Sequence, residues 1–223
     1  YEIMPSLVGS EMCIRDRAVN VRLNESVTTT ILRAERLGLK GKRVIGYIGT
    51  HGLAHKLDFI LQCAKNMQGK NDYHFLFIGA GAEKERLLKM RDTEHIDNVT
   101  MLDPVPKTEV WRYISILDLC LINLKKSPLF TTVIPSKIFE NAGMEIPIIM
   151  GVEGEAKDII DSYGAGLCFE PENEADFNDK LDKLLADDAL YEKCKEGCRA
   201  LSNDFDRKVL AAKMLKLIED TVE

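Results

Sequence analysis

No apolar run in this 223-residue chain approaches the ~20 residues that a bilayer-spanning helix needs, so a spanning segment is excluded. Positive charge is not in excess. The 30 Lys and Arg stand against 36 Asp and Glu, a net −6, and the basic residues are scattered, which argues against nucleic acid or an anionic membrane as the main partner. The six cysteines never pair as CxxC and are read as reduced thiols rather than disulfides or zinc ligands. Cys194 and Cys198 share a helical stretch, but no His or further Cys completes a metal set around them. The 15 Gly and 7 Pro are too few for a collagen-like chain, and 45% hydrophobic residues are too many for a disordered one. There is no internal repeat and no low-complexity tract. What remains is a globular chain of one large or two small domains, at roughly 150 residues each.

Residues 6–17 (SLVGSEMCIRDR) resemble a reading-frame translation of a sequencing-library adapter. Residues 1–17 are therefore set aside as a disordered artefact, as a tag would be. The reading frame is expected to run off a fragment edge, with an amino-terminal part of the protein missing upstream. Residues 18–42 read as a connection from that part, with one helical stretch at 30–37 ending at Gly38.

From residue 43 short apolar runs alternate with longer amphipathic ones. Strands are expected at 43–48 (RVIGYI), 73–78 (YHFLFI), 99–102, 118–122 (DLCLI), 147–150 and 166–169. Helical spacing falls at 54–67, 83–91, 107–117, 135–142 and 155–162, and then at 175–186, 189–199 and 206–222. This alternation predicts an α/β fold: a Rossmann-like parallel sheet with crossover helices on both faces and extra helices at the end. The nearly all-apolar strands fit a sheet covered on both sides.

Ligands of such sheets bind at the carboxyl ends of the strands, beside the switch in strand order. Three segments there are candidates. The first is the loop Gly49-Thr50-His51-Gly52, whose glycines permit a tight turn and whose following helix offers unpaired amides to a phosphate. The second is Gly79-Ala80-Gly81-Ala82-Glu83. It is not a full GxGxxG, because Lys84 stands where the third Gly belongs. Either loop can equally be a plain strand-to-helix turn. The third is the turn around Pro135, Ser136 and Lys137. Pro135 suits a first helical position, and Lys137 is unfavourable to the helix dipole there unless an anion is near. Glu140 follows one turn later on the same face. Amides and a cation for phosphates, with a carboxylate for ribose hydroxyls, make one nucleotide-diphosphate constellation.

The segments 33–42 (RAERLGLKGK), 46–58 (GYIGTHGLAHKLD), 75–87 (FLFIGAGAEKERL), 98–122, 135–149 (PSKIFENAGMEIPII) and 164–177 resemble, in order, the carboxy-terminal domain of glycosyltransferase family 4 enzymes of GT-B architecture. The flavour is that of the bacterial surface-polysaccharide branch. The resemblance implies that residues 43–223 bind a nucleotide-sugar donor, a UDP-sugar ahead of a GDP-sugar, with no other cofactor and no metal. It implies that Gly49, Thr50 and Gly52 face the diphosphate, that Ser136 and Lys137 meet the phosphates, and that Glu140 holds the ribose. Asp103, Pro104 and Val105 contact the base, and Gly79, Gly81 and Glu83 line the same cleft.

Two departures stand out. Thr132 occupies the place of the first Glu of the family's E-x7-E motif. The first loop offers only His51, His55 and Lys56 in place of an Arg and a Lys. The leaving-phosphate cation is then Lys56 or Lys137, and His51 is the loop histidine placed to touch sugar or phosphate. The implied reaction is sugar transfer with retention to a glycan or lipid-linked acceptor bound mostly by the missing domain. It would run in the cytoplasm, with the inner membrane face as a contact of the longer protein and no nucleic acid involved. The fragment alone is expected to be inactive. The alternatives are a non-catalytic nucleotide-binding module and an NAD-dependent oxidoreductase. Asp204-Phe205-Asp206 fits Asp-x-Asp, but Asp206 is better read as a helix cap. Trp111 is expected to pack a helix onto the sheet.

Overall fold

The computed structural model describes residues 27–70 and 72–222. The adapter-like segment and the start of the expected connection lie outside them. Ten residues, Val27–Arg36, form helix α1. The chain then enters β1 (Arg43–Ile48), α2 (Leu57–Asn66), β2 (Tyr73–Ile78), α3 (Lys84–Thr93) and β3 (Val99–Leu102). A short α4 (Val110–Ile114) leads to β4 (Leu119–Asn123), α5 (Lys137–Gly143), β5 (Ile148–Gly151), α6 (Glu155–Tyr163) and β6 (Gly166–Cys168). Three helices close the chain: α7 (Glu174–Ala186), α8 (Asp188–Asp204) and α9 (Arg207–Val222).

The six strands form one sheet in the order β3-β2-β1-β4-β5-β6, and every neighbouring pair is parallel. Successive strand residues point to opposite faces, and both faces are covered. Ile45, Tyr47, Phe75, Phe77, Leu119 and Leu121 join α2, α3 and α7 in one core. Val44, Leu76, Ile78, Cys120, Ile122 and Met150 join α4, α5 and α6 in the other. That is why the strands read as continuous apolar runs. Leu39, ahead of β1, is buried in the second core, with Ala34 and Leu37 packed against it, so residues 34–39 are part of this domain's packing. Trp111 is buried there as well.

Two expected helices are shorter than their apolar spacing suggested. The stretch 54–67 divides at Lys56, whose φ of 48° is left-handed, into a 3-10 turn (Leu53–His55) and α2. The end of β4 causes the break: the Asn123 side chain donates to the His55 carbonyl at 2.9 Å, and the Lys125 amide donates to that of Ala54 at 2.8 Å. Those carbonyls are then spent on a neighbouring strand rather than on a helical turn. The stretch 107–117 keeps only Val110–Ile114 helical, because Ile116 and Leu117 must run straight into the core before β4. A Lys56→Gly substitution should relieve the left-handed strain and stabilise the fold by about 1 kcal/mol, since the half-buried Lys56–Asp58 contact is long at 3.3 Å and Asp58 keeps Arg86 as a partner. Denaturant titration checks it: an unchanged or lower midpoint would show that Lys56 is unstrained.

Candidate functional site

Crossovers from β1 and β4 leave toward opposite faces, so the carboxyl ends of these adjacent strands open the crevice where such folds bind ligands. Three segments meet around it: loop 49–56, loop 124–136 and the first turn of α5. The loop after β1 is held on all sides. The Gly49 amide donates to the Ile78 carbonyl and that of His51 to Ala80, each at 2.8 Å. The Tyr47 hydroxyl donates to the Thr50 carbonyl at 2.7 Å, and Asn123 fixes the far end as described.

Lys137 closes the crevice. The space a Cβ on Gly49 would fill is taken by the Lys137 Cε and Nζ, so only glycine leaves room for this ammonium directly above the loop. The same Nζ lies 5.6 Å from the centre of the Tyr47 ring. Burial holds the Lys137 pKa below its usual value, and Glu140 one turn away counters this. Ser136 opens the helix without a side-chain cap, and its carbonyl already serves the amides of Phe139 and Glu140. The predicted trio Gly49, Lys137 and Glu140 is thus brought together from distant parts of the sequence. Thr132 and Ser136 are exposed on the same rim, and Asp103 and Pro104 are exposed beyond β3 with Val105 half-buried. The mouth of β5 reaches loop 124–136 through Thr131, whose carbonyl accepts from the Glu155 amide at 2.9 Å.

Four predicted residues, His51, Lys56, Gly79 and Gly81, have other employment. His51 does not face the crevice: its side chain is 0% exposed and lies against Tyr47 and Phe77, with ring centres 5.9 and 6.4 Å away. This corrects the expectation that it touches sugar or phosphate. The physical cause is the backbone, which is locked by bonds to Ala80 and Glu83 and turns the imidazole inward. Both ring nitrogens lack a hydrogen-bond partner. Burial, with Lys84, His55 and Lys137 adding repulsion, lowers its pKa to about 4. Lys56 points toward Asp58, 3.3 Å away, and Asp58 also pairs with Arg86 at 3.1 Å. Lys137 rather than Lys56 is therefore the cation that overhangs the loop.

Gly79 and Gly81 serve the loop–loop contact. A Cβ on Gly79 would strike the Gly49 carbonyl, and one on Gly81 the His51 backbone. That leaves no room there for a pyrophosphate, which removes the structural basis for a dinucleotide fingerprint in this loop.

The His51 pKa fixes a pH dependence. A folded-state value below the ordinary 6.5 means that the unfolded chain binds the proton more tightly. Its contribution is complete above pH 6.5 and is lost as the pH falls through 4, by about 3 kcal/mol in all. Between pH 7 and 4.5 the parent chain should lose stability relative to a His51→Met variant, which denaturation midpoints of both at the two pH values check. Parallel curves would place His51 in water.

Sequence reading missed Tyr47, Asn123 and Lys84. Lys84 donates to the Gly79 carbonyl at 3.0 Å and also to that of Leu102, tying the mouths of β2 and β3. The signal for the first two was present: a phenol and a carboxamide inside otherwise apolar strands. Asp204 and Asp206 are engaged elsewhere: Asp204 accepts from the Tyr163 hydroxyl at 2.8 Å, and Asp206 caps α9 through the Lys208 amide at 2.8 Å.

Residues 30–200 match the family model described as Glycosyl transferases group 1. The chain belongs to that family. A curated relative, the Bacillus subtilis protein TuaH, named for teichuronic acid biosynthesis, is 30% identical over 117 residues, 52% of this chain and 28% of the relative. The Anabaena protein Alr3699/HepE, solved in complex with UDP, superposes with a TM-score of 0.75 at 12% identity, over 88% of this chain and 54% of its own. The C-terminal domain of a group 1 glycosyl transferase (LpcC) from Francisella tularensis superposes at 0.61 with 19% identity, over 79% of this chain and 92% of that domain. The chain thus spans about a quarter of TuaH and about half of the Anabaena protein. The fold is the Rossmann-like one seen in GT-B glycosyltransferases. No helix among the described residues is long and apolar enough to cross a membrane.

Proposed function

We propose that this chain is the donor-binding, carboxy-terminal half of a family 4 glycosyltransferase that takes a UDP-sugar. The observation that carries the reading is the Lys137 ammonium placed over Gly49 at the strand switch, one turn from Glu140. The Thr50 and Gly52 amides and those of Ser136 and Lys137, with the Lys137 ammonium, stabilise negative charge gathering on the departing diphosphate. Glu140 accepts from the ribose hydroxyls, and residues 103–105 flank the base. Transfer proceeds with retention through an oxocarbenium-like transition state. The charge on the diphosphate is met by this chain's own cations, without a metal. The UDP in the Anabaena protein supports the nucleotide, and the teichuronic acid name of the Bacillus relative supports a surface-polysaccharide role. The sugar acceptor, a glycan or a lipid-linked one, is bound by the longer protein in the cytoplasm, where the inner membrane face is a contact.

A second reading, a nucleotide-binding module without transfer activity, is favoured by Thr132 in place of the motif carboxylate and by Lys56 being tied to Asp58. Calorimetric titration of the 223-residue chain with UDP, GDP, ADP and NAD tests the shared part. Binding of UDP above the others is expected, and NAD binding without any nucleotide diphosphate would end both readings. Glu140→Ala should weaken UDP about tenfold, as the loss of hydrogen bonds to a charged group does; an unchanged affinity would move the ribose elsewhere.

A further inference from the structure

We infer that Tyr47 is a positioning residue for the diphosphate cation, its ring seating the Lys137 ammonium over the Gly49 loop. The inference rests on the role proposed for Lys137. Tyr47 occupies a strand position that a plain aliphatic residue would fill, and it is 1% exposed. Its hydroxyl is satisfied by the Thr50 carbonyl, which fixes the ring in place. Phe77, 6.0 Å away edge-on, supports it from β2, and the His51 and His55 rings stand 5.9 and 5.8 Å from it. One ring face is left for Lys137, at 5.6 Å. Lys137 makes no ion pair among the described residues.

The choice of partner matters chemically. A carboxylate would hold the ammonium firmly but cancel its charge. An aromatic face attracts the cation by ~0.5–2 kcal/mol and leaves the charge and its N–H donors available to a phosphate. The neighbouring imidazoles do not repel it near neutral pH, since burial keeps both His51 and His55 uncharged. The Thr50 and Gly52 amides and the cation then present themselves together before any ligand arrives, and the ordering cost is met by the fold.

NMR titrations of the full chain with UDP and with uridine, which lacks phosphates, test this. Tyr47→Leu should weaken UDP about tenfold and leave uridine unchanged, while Tyr47→Phe, which keeps the ring, should stay within about threefold of the parent. Equal weakening of UDP and uridine would make Tyr47 merely structural and overturn the inference. So would an unchanged UDP affinity in Tyr47→Leu when Lys137→Met weakens it. An unchanged affinity in Lys137→Met would instead defeat the reading of Lys137 itself. If Tyr47→Leu does not fold, the parent chain still decides: the Lys137 ε-methylene protons should resonate upfield through the ring current, and an ordinary lysine shift would overturn the inference.

Discussion

A Gly79→Val chain should be about 4 kcal/mol less stable than the parent, with a melting temperature lower by about 12 °C and no measurable UDP binding. Two costs add here. The backbone of Gly79 has φ of 153°, which a β-branched residue rarely adopts. The new Cβ would also be driven into the Gly49 carbonyl, a backbone atom that cannot swing aside as a side chain can. Gly69→Val separates the two. Its φ of 75° is also unfavourable, but nothing lies within 4 Å of a Cβ there, so it should cost only about 1–2 kcal/mol. Thermal unfolding of both variants decides. Equal losses would mean that the loops after β1 and β2 are not interlocked, and the rigidity ascribed to the phosphate-facing loop would lose its cause.

Lys137→Met should bind UDP about thirtyfold more weakly while keeping, or slightly raising, the stability of the free chain near neutral pH. The sign follows from the lowered pKa of this lysine. A folded state that holds the proton less tightly than the unfolded one is disfavoured while the group is charged, so the ammonium costs stability in full below its folded pKa, and the cost fades as the pH rises from there to the ordinary 10.5. Methionine fills similar space without that cost. Calorimetry for UDP and denaturant unfolding of the free chain together read this out. Lost affinity with lost stability would point to a packing role. Retained affinity would leave the α5 turn without a part in phosphate binding.

Much of the architecture is legible along the chain. The runs RVIGYI, YHFLFI and DLCLI are apolar because both sheet faces are covered, and each lies within a residue of its strand. Asp206 before 207–222 reads as a helix start and is one. The Pro135–Glu140 turn reads as an anion-facing helix start, and the fold brings it to the loop after β1. The break at Lys56 was not legible, because its cause is a carboxamide on β4 reaching across the sheet. Nor was the inward turn of His51, whose loop offers glycines on either side and no local clue to direction.

The chain by itself determined the order of strands and helices, the two-sided burial of the sheet and the residue types gathered at its carboxyl edge, since periodicity and turn chemistry act between near neighbours. Only the tertiary structure decided which of those residues meet. Lys137 stands over Gly49 and Tyr47, Lys56 is drawn to Asp58, and the glycines after β2 make room for backbone rather than ligand. Those outcomes depend on close approach between segments far apart in sequence, where a fraction of an ångström of space selects the partner.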